Sequence, residues 1–573
     1  MSSSNNIREI SISEFFSKNR HLLGFDSPIK ALLTAVREGV DNSLDACEEA
    51  GIMPSITVQI DSESETQFAV TISDNGPGIS KVHLGNIFAK LLYGSKFHRL
   101  RQSRGQQGIG ISAAVMYGQM TTGKPALVIS KTSAQAVVHE IELQIDTKKN
   151  VPKILKEREN KTLEWQEKES GTMIRIHMEG AYKEGRHGVL AYLSQTALSN
   201  PHASFLFIDP KHARHPFPRL MHALPKAPEE IKRHPHGVEI GLLMQLLQDA
   251  KKESVVGFLR KEFSRVSENV ATDIVKRAGL SLSRNTQGIH RAEAESLVKS
   301  IQATKLLPPP TNCLSPLGED SLIKALYWLF VESKKWDSEE QVALIAPEQR
   351  LEKKGQSEFA FDWPKIEPWA QNIETNEDNS LSSKEDNYFV TAVTRPPNVY
   401  RGNPFQVEVG LFYGKGLKDG LMQVYRYANR VPLQYQASAC AMTKAAMSAP
   451  WKSYGLDQSK GALPSGPVVL VMHAASVWVP YTSESKEAIA HYDEILKEFR
   501  LAILECGRRL QRYLRHQKRQ ADEMKKRSYI EKYLNPISEA LSDILGLQTL
   551  EKQEIVLNLT HILEKNYGEK KPK

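Results

Sequence analysis

Three short stretches hold residue types that can do chemistry together. In Glu38-Gly39-Val40-Asp41-Asn42-Ser43-Leu44-Asp45-Ala46, positions 38, 42 and 45 are spaced four and three apart, which places them on one face of a helix. A carboxylate there can polarise a water, and an amide oxygen one turn on can join a magnesium ion that also holds phosphate oxygens. The second stretch is Asp74-Asn75-Gly76-Pro77-Gly78-Ile79. Its carboxylate suits an exocyclic amine such as that of adenine, and its glycines let backbone be approached closely. The third, Gly105-Gln106-Gln107-Gly108-Ile109-Gly110-Ile111-Ser112, runs into a helix-compatible segment, so free amides gather at a helix N-terminus where an anion is favoured. Each stretch alone has a bland reading, a surface turn for a glycine cluster or a solvated face for the acidic stripe. Their occurrence in this order along one chain favours a nucleotide pocket.

The elements that must position these residues are legible nearby. Ser27 and Pro28 read as an N-cap and first helical residue and Gly51 as the stop, so 29–50 is one helix. Phe68, Val70 and Ile72 alternate as a half-buried strand that delivers Asp74 at its end, paired in a hairpin with Ile56, Val58 and Ile60. Further strands are expected at 126–130, 137–145 and 173–178, which implies an α+β sandwich of helix on sheet. The charged segment 148–168 reads as an exposed strand and loop without chemistry.

These motifs resemble the GHKL ATPases, the superfamily of gyrase, MutL, histidine kinases and a major heat-shock chaperone. The match covers Glu38-x-x-x-Asn42, Asp74-x-Gly76-x-Gly78, Gly105-x-x-Gly108-x-Gly110 and Gly171-Thr172. Leu91-Leu92-Tyr93-Gly94-Ser95-Lys96-Phe97-His98, continuing to Arg104 and Gly105, is similar to the B subunit of DNA topoisomerase VI. That resemblance implies ATP and Mg2+ as cofactors, with Glu38 and Lys486 catalytic and Asn42 holding the metal. It implies nucleotide contacts from Asn42, Asp74, Gly76, Gly78, Ser95, Lys96, Gly105, Gln106, Gln107, Gly108, Ile109, Gly110, Ile111, Ser112, Thr172 and Lys486. Lys486 is chosen because Tyr481-Thr482-Ser483-Glu484-Ser485-Lys486 follows the last transducer strand, where the family places a lysine that reaches the γ-phosphate; Lys452, in Trp451-Lys452-Ser453-Tyr454, is the fallback. The implied partners are the DNA-cleaving A subunit in an A2B2 heterotetramer, double-stranded DNA, and a second copy of this chain joined through the ATPase domain when ATP binds.

At 573 residues the chain needs about three or four domains. The expected fold is α+β multidomain: an N-terminal strap at 1–24, a GHKL ATPase sandwich at 25–228, and a small all-α module in the place of a helix-two-turns-helix domain at 229–310. An α/β transducer follows at 311–486, with a polar insertion at about 328–387, then a stalk helix at 487–534 and a tail at 535–573. His234-Pro235-His236 is read as a turn and cap, and Lys251, Lys252, Arg260, Lys261, Lys276 and Arg277 as a solvated face or, more sharply, a phosphate-contacting one. In the stalk, Ile489, Leu496, Ile503 and Leu510 repeat every seven residues, with Tyr492, Phe499, Cys506 and Tyr513 interleaved.

The net charge of +8 permits a polyanionic partner without requiring one. Cys47, Cys313, Cys440 and Cys506 are scattered, which suggests neither a zinc site nor a disulfide framework and fits a reducing compartment. A secretory signal and a membrane span are both missing from the pattern, so a cytoplasmic protein, nucleoid-associated or nuclear in a eukaryote, is expected. A sensor histidine kinase would need a phosphoacceptor helix ahead of Glu38, where only a short segment lies. The helical insert before Pro310 speaks against a MutL-like repair ATPase or a chaperone.

Overall fold

The helix that carries Glu38 and Asn42 spans Pro28–Glu49 (α1). The Ser27 hydroxyl caps it by accepting from the Lys30 N–H at 3.4 Å, Pro28 opens it, and Gly51 lies just past its end with a φ of +72°. The computed structural model describes residues 14, 16, 18–21, 23–94, 99–105, 108–250, 252–334, 380–383, 387–414, 417–483, 486–546 and 553–561. Of the expected strap at 1–24, Phe16 is described; it is buried against Phe25.

Val36, Val40, Leu44 and Cys47 turn one face of α1 onto a sheet of eight strands. The strands used below are Ser55–Ser62 (β1), Gln67–Asp74 (β2), Ala126–Lys131 (β3), His139–Asp146 (β4), Val151–Glu159 (β5) and Gly171–Glu179 (β6), in the order β5-β4-β3-β6-β2-β1 before two outer strands. The expected hairpin is present, with Val58 opposite Ile72 and Ile60 opposite Val70. β5 is largely exposed, as its charge suggests. One turn of helix, Leu163–Glu167, follows it.

The all-α region holds helices at Ile240–Asp249, Val255–Glu262, Glu268–Arg277 and Arg291–Ala303, closed on Leu243, Phe258, Phe263, Ile274, Leu297 and Ile301. His234 and His236 are structural: their Nε2 atoms bond the carbonyls of Leu307 and Thr304 at 3.0 Å each. Of the basic residues there, Arg260 pairs with Glu268 at 3.1 Å and Lys261 with Glu253 at 3.7 Å. Lys251 lies outside the described residues.

A second sheet is built on Tyr388–Thr394, Asn403–Gly414, Gln423–Ala428 and Val468–Ser476. Gln423–Ala428 runs parallel to Val468–Ser476, and the crossover between them carries the helix Ala441–Ser448. Residues 477–479 form no strand; this segment bends away after the sheet. The segment expected as a polar insertion, about 328–387, is described only near its ends. The helix Glu319–Phe330 enters it, and Ser380–Ser383 adds an edge strand, while 335–379 lies outside the described residues.

Two compact units make up the chain. One is Met1–Ala449 with Ser459–Cys506, and the other is Pro450–Gln458 with Gly507–Lys573. The long helix begins at Asp493 and ends at Leu545, not at 487 and 534. Pro536 lies inside it, since one missing N–H need not stop a helix, and the Ser538 hydroxyl bonds the Asn535 carbonyl at 2.8 Å. Ile489 and Tyr492, expected to begin its apolar seam, precede it. Within the first unit the helix buries Phe499, Ile503 and Cys506 of the expected seam together with Ile495 and Ala502, while Leu496 is half-buried. The Cys506 thiol reaches the Val409 carbonyl at 3.5 Å, and Arg395 pairs with Glu498 at 2.9 Å.

Candidate active site

Strand register builds one end of the site. Asp74 on β2 lies opposite Thr172 on β6, and Thr172 lies opposite Ser130 on β3, so three polar residues form a row across three strands. The Asp74 carboxylate accepts the Ser43 hydroxyl at 2.7 Å, the Gly76 N–H at 2.9 Å and the Thr172 N–H at 3.1 Å. Burial pushes its carboxyl above the ordinary value, against the pull of these three donors. Ser130 Oγ accepts from the Ile79 N–H at 2.8 Å and lies 3.2 Å from Thr172 Oγ1. Gly78 makes this floor possible: its φ is +69°, and a Cβ there would stand 2.0 Å from the Lys131 carbonyl oxygen.

Helix ends and turns build the other end. Gly110 is the first residue of the helix Gly110–Thr122, and a Cβ on it would fall 1.7 Å from Glu38 Oε2. The Glu38 carboxylate is therefore packed against the start of that helix. Arg37 flanks it, with Nη2 at 3.4 Å from Glu38 Oε1. A Cβ on Gly105 would lie 3.8 Å from Asn42 Oδ1, so the loop stem crosses directly over the amide. Lys486 is held at a φ of +54°, in the left-handed region, with its N–H on the Ser483 carbonyl at 3.1 Å.

Both ends open into a single cavity of about 730 Å³. Glu38, Asn42, Asp74, Gly78, Gly105, Gly108, Ile109, Gly110, Ile111, Thr172 and Lys486 line it, with Ile72, Ile87, Phe88 and Ile174 as apolar wall. Such a mixture suits an aromatic base with a charged tail. Gly76 and Ser112 stand behind the lining: Gly76 bonds Asp74, and the Ser112 hydroxyl bonds the Ile109 carbonyl at 3.1 Å. Ser95, Lys96, Gln106 and Gln107 lie outside the described residues. Lys452 does not line the cavity. Among the described residues there is no cluster of three or more His, Cys, Asp or Glu suited to a metal ion, and no helix is long and apolar enough to cross a membrane.

Asp45, expected on the same face as Glu38 and Asn42, turns instead to Arg104, whose Nη1 is 2.8 Å away. Sequence reading missed this arginine. It is 4% exposed and bonds Glu48 at 2.6 Å through Nη2 as well as Asn200 at 2.5 Å. Burial opposes its charge, but Glu48 and Asp45 hold the guanidinium above its usual range. Burial would likewise raise the Glu48 carboxyl, but Arg104 and His202 keep it well below the carboxylate range. His202, 2.7 Å from Glu48, is pushed down to about 4 by burial. Asp41, behind Glu38, is pushed up to about 7 by burial and then by the Glu38 charge. Ser43 and Ser130 were also missed; only their place beside Asn42 and within a β-strand signalled them.

The sandwich and its cavity define the class first. Residues 30–172 match the family described as histidine kinase-, DNA gyrase B- and HSP90-like ATPase. The protein is thus a nucleotide-binding ATPase of that superfamily. Residues 371–526 match the transducer of the topoisomerase VI B subunit. The chain is 43% identical over 570 residues to the type 2 DNA topoisomerase 6 B subunit of Archaeoglobus fulgidus, covering 98% of this chain and 85% of that protein. Identity to the protein of the same name from Methanococcoides burtonii is 41%, covering 94% and 77%, and to that from Pyrococcus horikoshii 38%, covering 96% and 94%. This chain belongs to the family of type 2 DNA topoisomerase 6 B subunits, the ATP-dependent component of a type II topoisomerase.

Proposed function

We propose that the chain is an ATP-operated clamp for double-stranded DNA. Two copies join through their ATPase domains when ATP binds, capture a duplex, and drive double-strand passage together with the DNA-cleaving A subunit in an A2B2 heterotetramer. The observation that carries this reading is the shared lining of one cavity by Glu38, Asn42, Asp74, Gly105, Gly108 to Ile111 and Lys486. Asp74 reads the adenine amine, and Thr172 supports it from the neighbouring strand. The amides at the start of Gly110–Thr122 cradle phosphates. Glu38 takes a proton from the attacking water, and Lys486 is the compact cation that meets the terminal phosphate.

Asn42 offers one amide oxygen to the cavity a helical turn from Glu38, a donor set that suits a Mg2+ ion keeping water and phosphate as its other ligands. Bound there, the ion would neutralise phosphate charge. Residues 25–228 would be the ATPase domain, 229–310 the helix-two-turns-helix domain, 311–486 the transducer and the long helix the stalk towards the A subunit, all working wherever the cell's DNA is held. No strand-cleaving chemistry is assigned to this chain.

Turnover of ATP by the purified chain, with and without the A subunit and duplex DNA, tests the reading. Wild type is expected to be stimulated by both, while Glu38→Ala loses about 10²–10⁴-fold in rate and still dimerises with nucleotide. Turnover indifferent to both partners would withdraw the clamp, and unchanged turnover in Glu38→Ala would withdraw the base.

A further inference from the structure

Lys486 sits near the tip of a narrow turn whose two legs are tied. Tyr481 bridges Ile489, the Thr482 N–H bonds the Ala488 carbonyl at 2.9 Å, and the Ala490 N–H bonds the Pro480 carbonyl at 2.8 Å. A lysine at a φ of +54° persists only where its surroundings hold it there. The next residue supplies the hold. Glu487 is 7% exposed at its side chain, and its carboxylate lies 3.2 Å from Lys30 Nζ. Its carbonyl faces Arg426 Nη1 at 3.5 Å, and Arg426 Nη2 in turn bonds the carbonyls of Leu433 and Tyr435 at 2.7 and 2.8 Å. Lys30 also has Asp26 at 3.3 Å and stands over the Tyr435 ring at 4.8 Å.

Lys30 belongs to the helix that bears Glu38. The two are eight residues apart, on one face and about 12 Å along a rigid rod. An exposed ion pair contributes little to stability, but this one is mostly shielded and joins the helix of Glu38 to the residue after Lys486. We propose that the Lys30–Glu487 pair is a positioning device that sets Lys486 against Glu38 across the phosphate end of the cavity. It makes the placement of the transducer loop depend on α1, and it rests on the reading that Lys486 meets the terminal phosphate.

The test is steady-state ATP turnover by the full chain with its A subunit and duplex DNA. Glu487→Gln is expected to lower kcat on the order of tenfold while leaving the KM for ATP nearly unchanged, because a misplaced group costs rate more than binding. Lys30→Met is expected to do the same, and Lys30→Arg to retain turnover. In a Lys486→Ala background, Glu487→Gln is expected to add no further loss. Full turnover in both Glu487→Gln and Lys30→Met overturns the proposal, as does an equal loss on top of Lys486→Ala. Should Glu487→Gln melt early and fail to fold, the Lys30→Met and Lys30→Arg contrast decides. Full turnover in Lys486→Ala is a different result: it withdraws the role of Lys486 itself, and this proposal with it.

Discussion

At one end of the cavity Asp74 on β2 is held by Ser43 on α1, Gly76 in the turn that follows it and Thr172 on the neighbouring β6, through bonds of 2.7, 2.9 and 3.1 Å. At the other end Glu38, the first turn of Gly110–Thr122 and Lys486 line the cavity from separate parts of the chain, one on a helix terminus and one on a turn. A ladder moves as one body, because slipping its register would turn side chains to the opposite face. Termini and turns can shift singly. On the proposed reading, the Asp74 end, where the base would sit, should set affinity, and the Glu38 end, where the phosphates would sit, should set rate.

The largest effect is expected where the phosphate end is braced. Arg104→Met would leave Asp45 and Glu48 buried without their cation, and unfolding experiments should show a loss of about 3–5 kcal/mol. A loss near zero would mean that the glycine loop is held by other contacts.

Gly110→Ala is the sharper probe of the same end. Alanine favours helix, but its Cβ would occupy the place of Glu38 Oε2. Turnover is expected to fall about 100-fold with ATP affinity largely kept. Asp74→Asn probes the base end and should show the reverse, with affinity weakened about 10- to 100-fold and the rate at saturation much less affected. Equal changes of kcat and KM in both variants would erase the distinction between the ends.

The smallest net effect lies in pH, because two buried groups oppose each other over nearly the same range. His202 is pushed from 6.5 to about 4, so between those values the unfolded chain binds a proton that the folded one refuses. Its contribution to stability is therefore lost as pH falls from about 6.5 to about 4. Asp41 has the opposite sign: raised from 3.8 to about 7, it keeps its proton in the fold, and its contribution is lost as pH rises through that range. Thermal melts across pH 4–7 should show His202→Gln removing a rising component and Asp41→Asn a falling one. Identical slopes in both variants would contradict these environments.

Local patterns were legible because their physics is local. The cap at Ser27, the alternation of Phe68, Val70 and Ile72, and the glycines before a helix are each set by neighbours within a few residues. Arg104 was illegible because its partner Glu48 lies 56 positions away. The Ser103 carbonyl finds its donor in Asn429 across 326 positions. No periodicity encodes such a pairing; only the packing of two sheets into one unit creates it. The long helix shows the same limit: a seven-residue count found Phe499, Ile503 and Cys506, while the sheet beneath also buries Ile495 and leaves Leu496 half-buried.

By itself the sequence determined the local setting of the candidate nucleotide residues, since Glu38, Asn42, Asp74 and the two glycine clusters lie in short runs whose spacing states their faces and turns. The tertiary structure decided which of them share a cavity. It set Gly76 and Ser112 behind the wall, sent Asp45 to Arg104 and brought Lys486 to the cavity that Glu38 lines. The reason is that a side chain's reach follows from helix or strand geometry a few residues around it, whereas a buried charge's partner is set by how distant segments pack, which no short window contains.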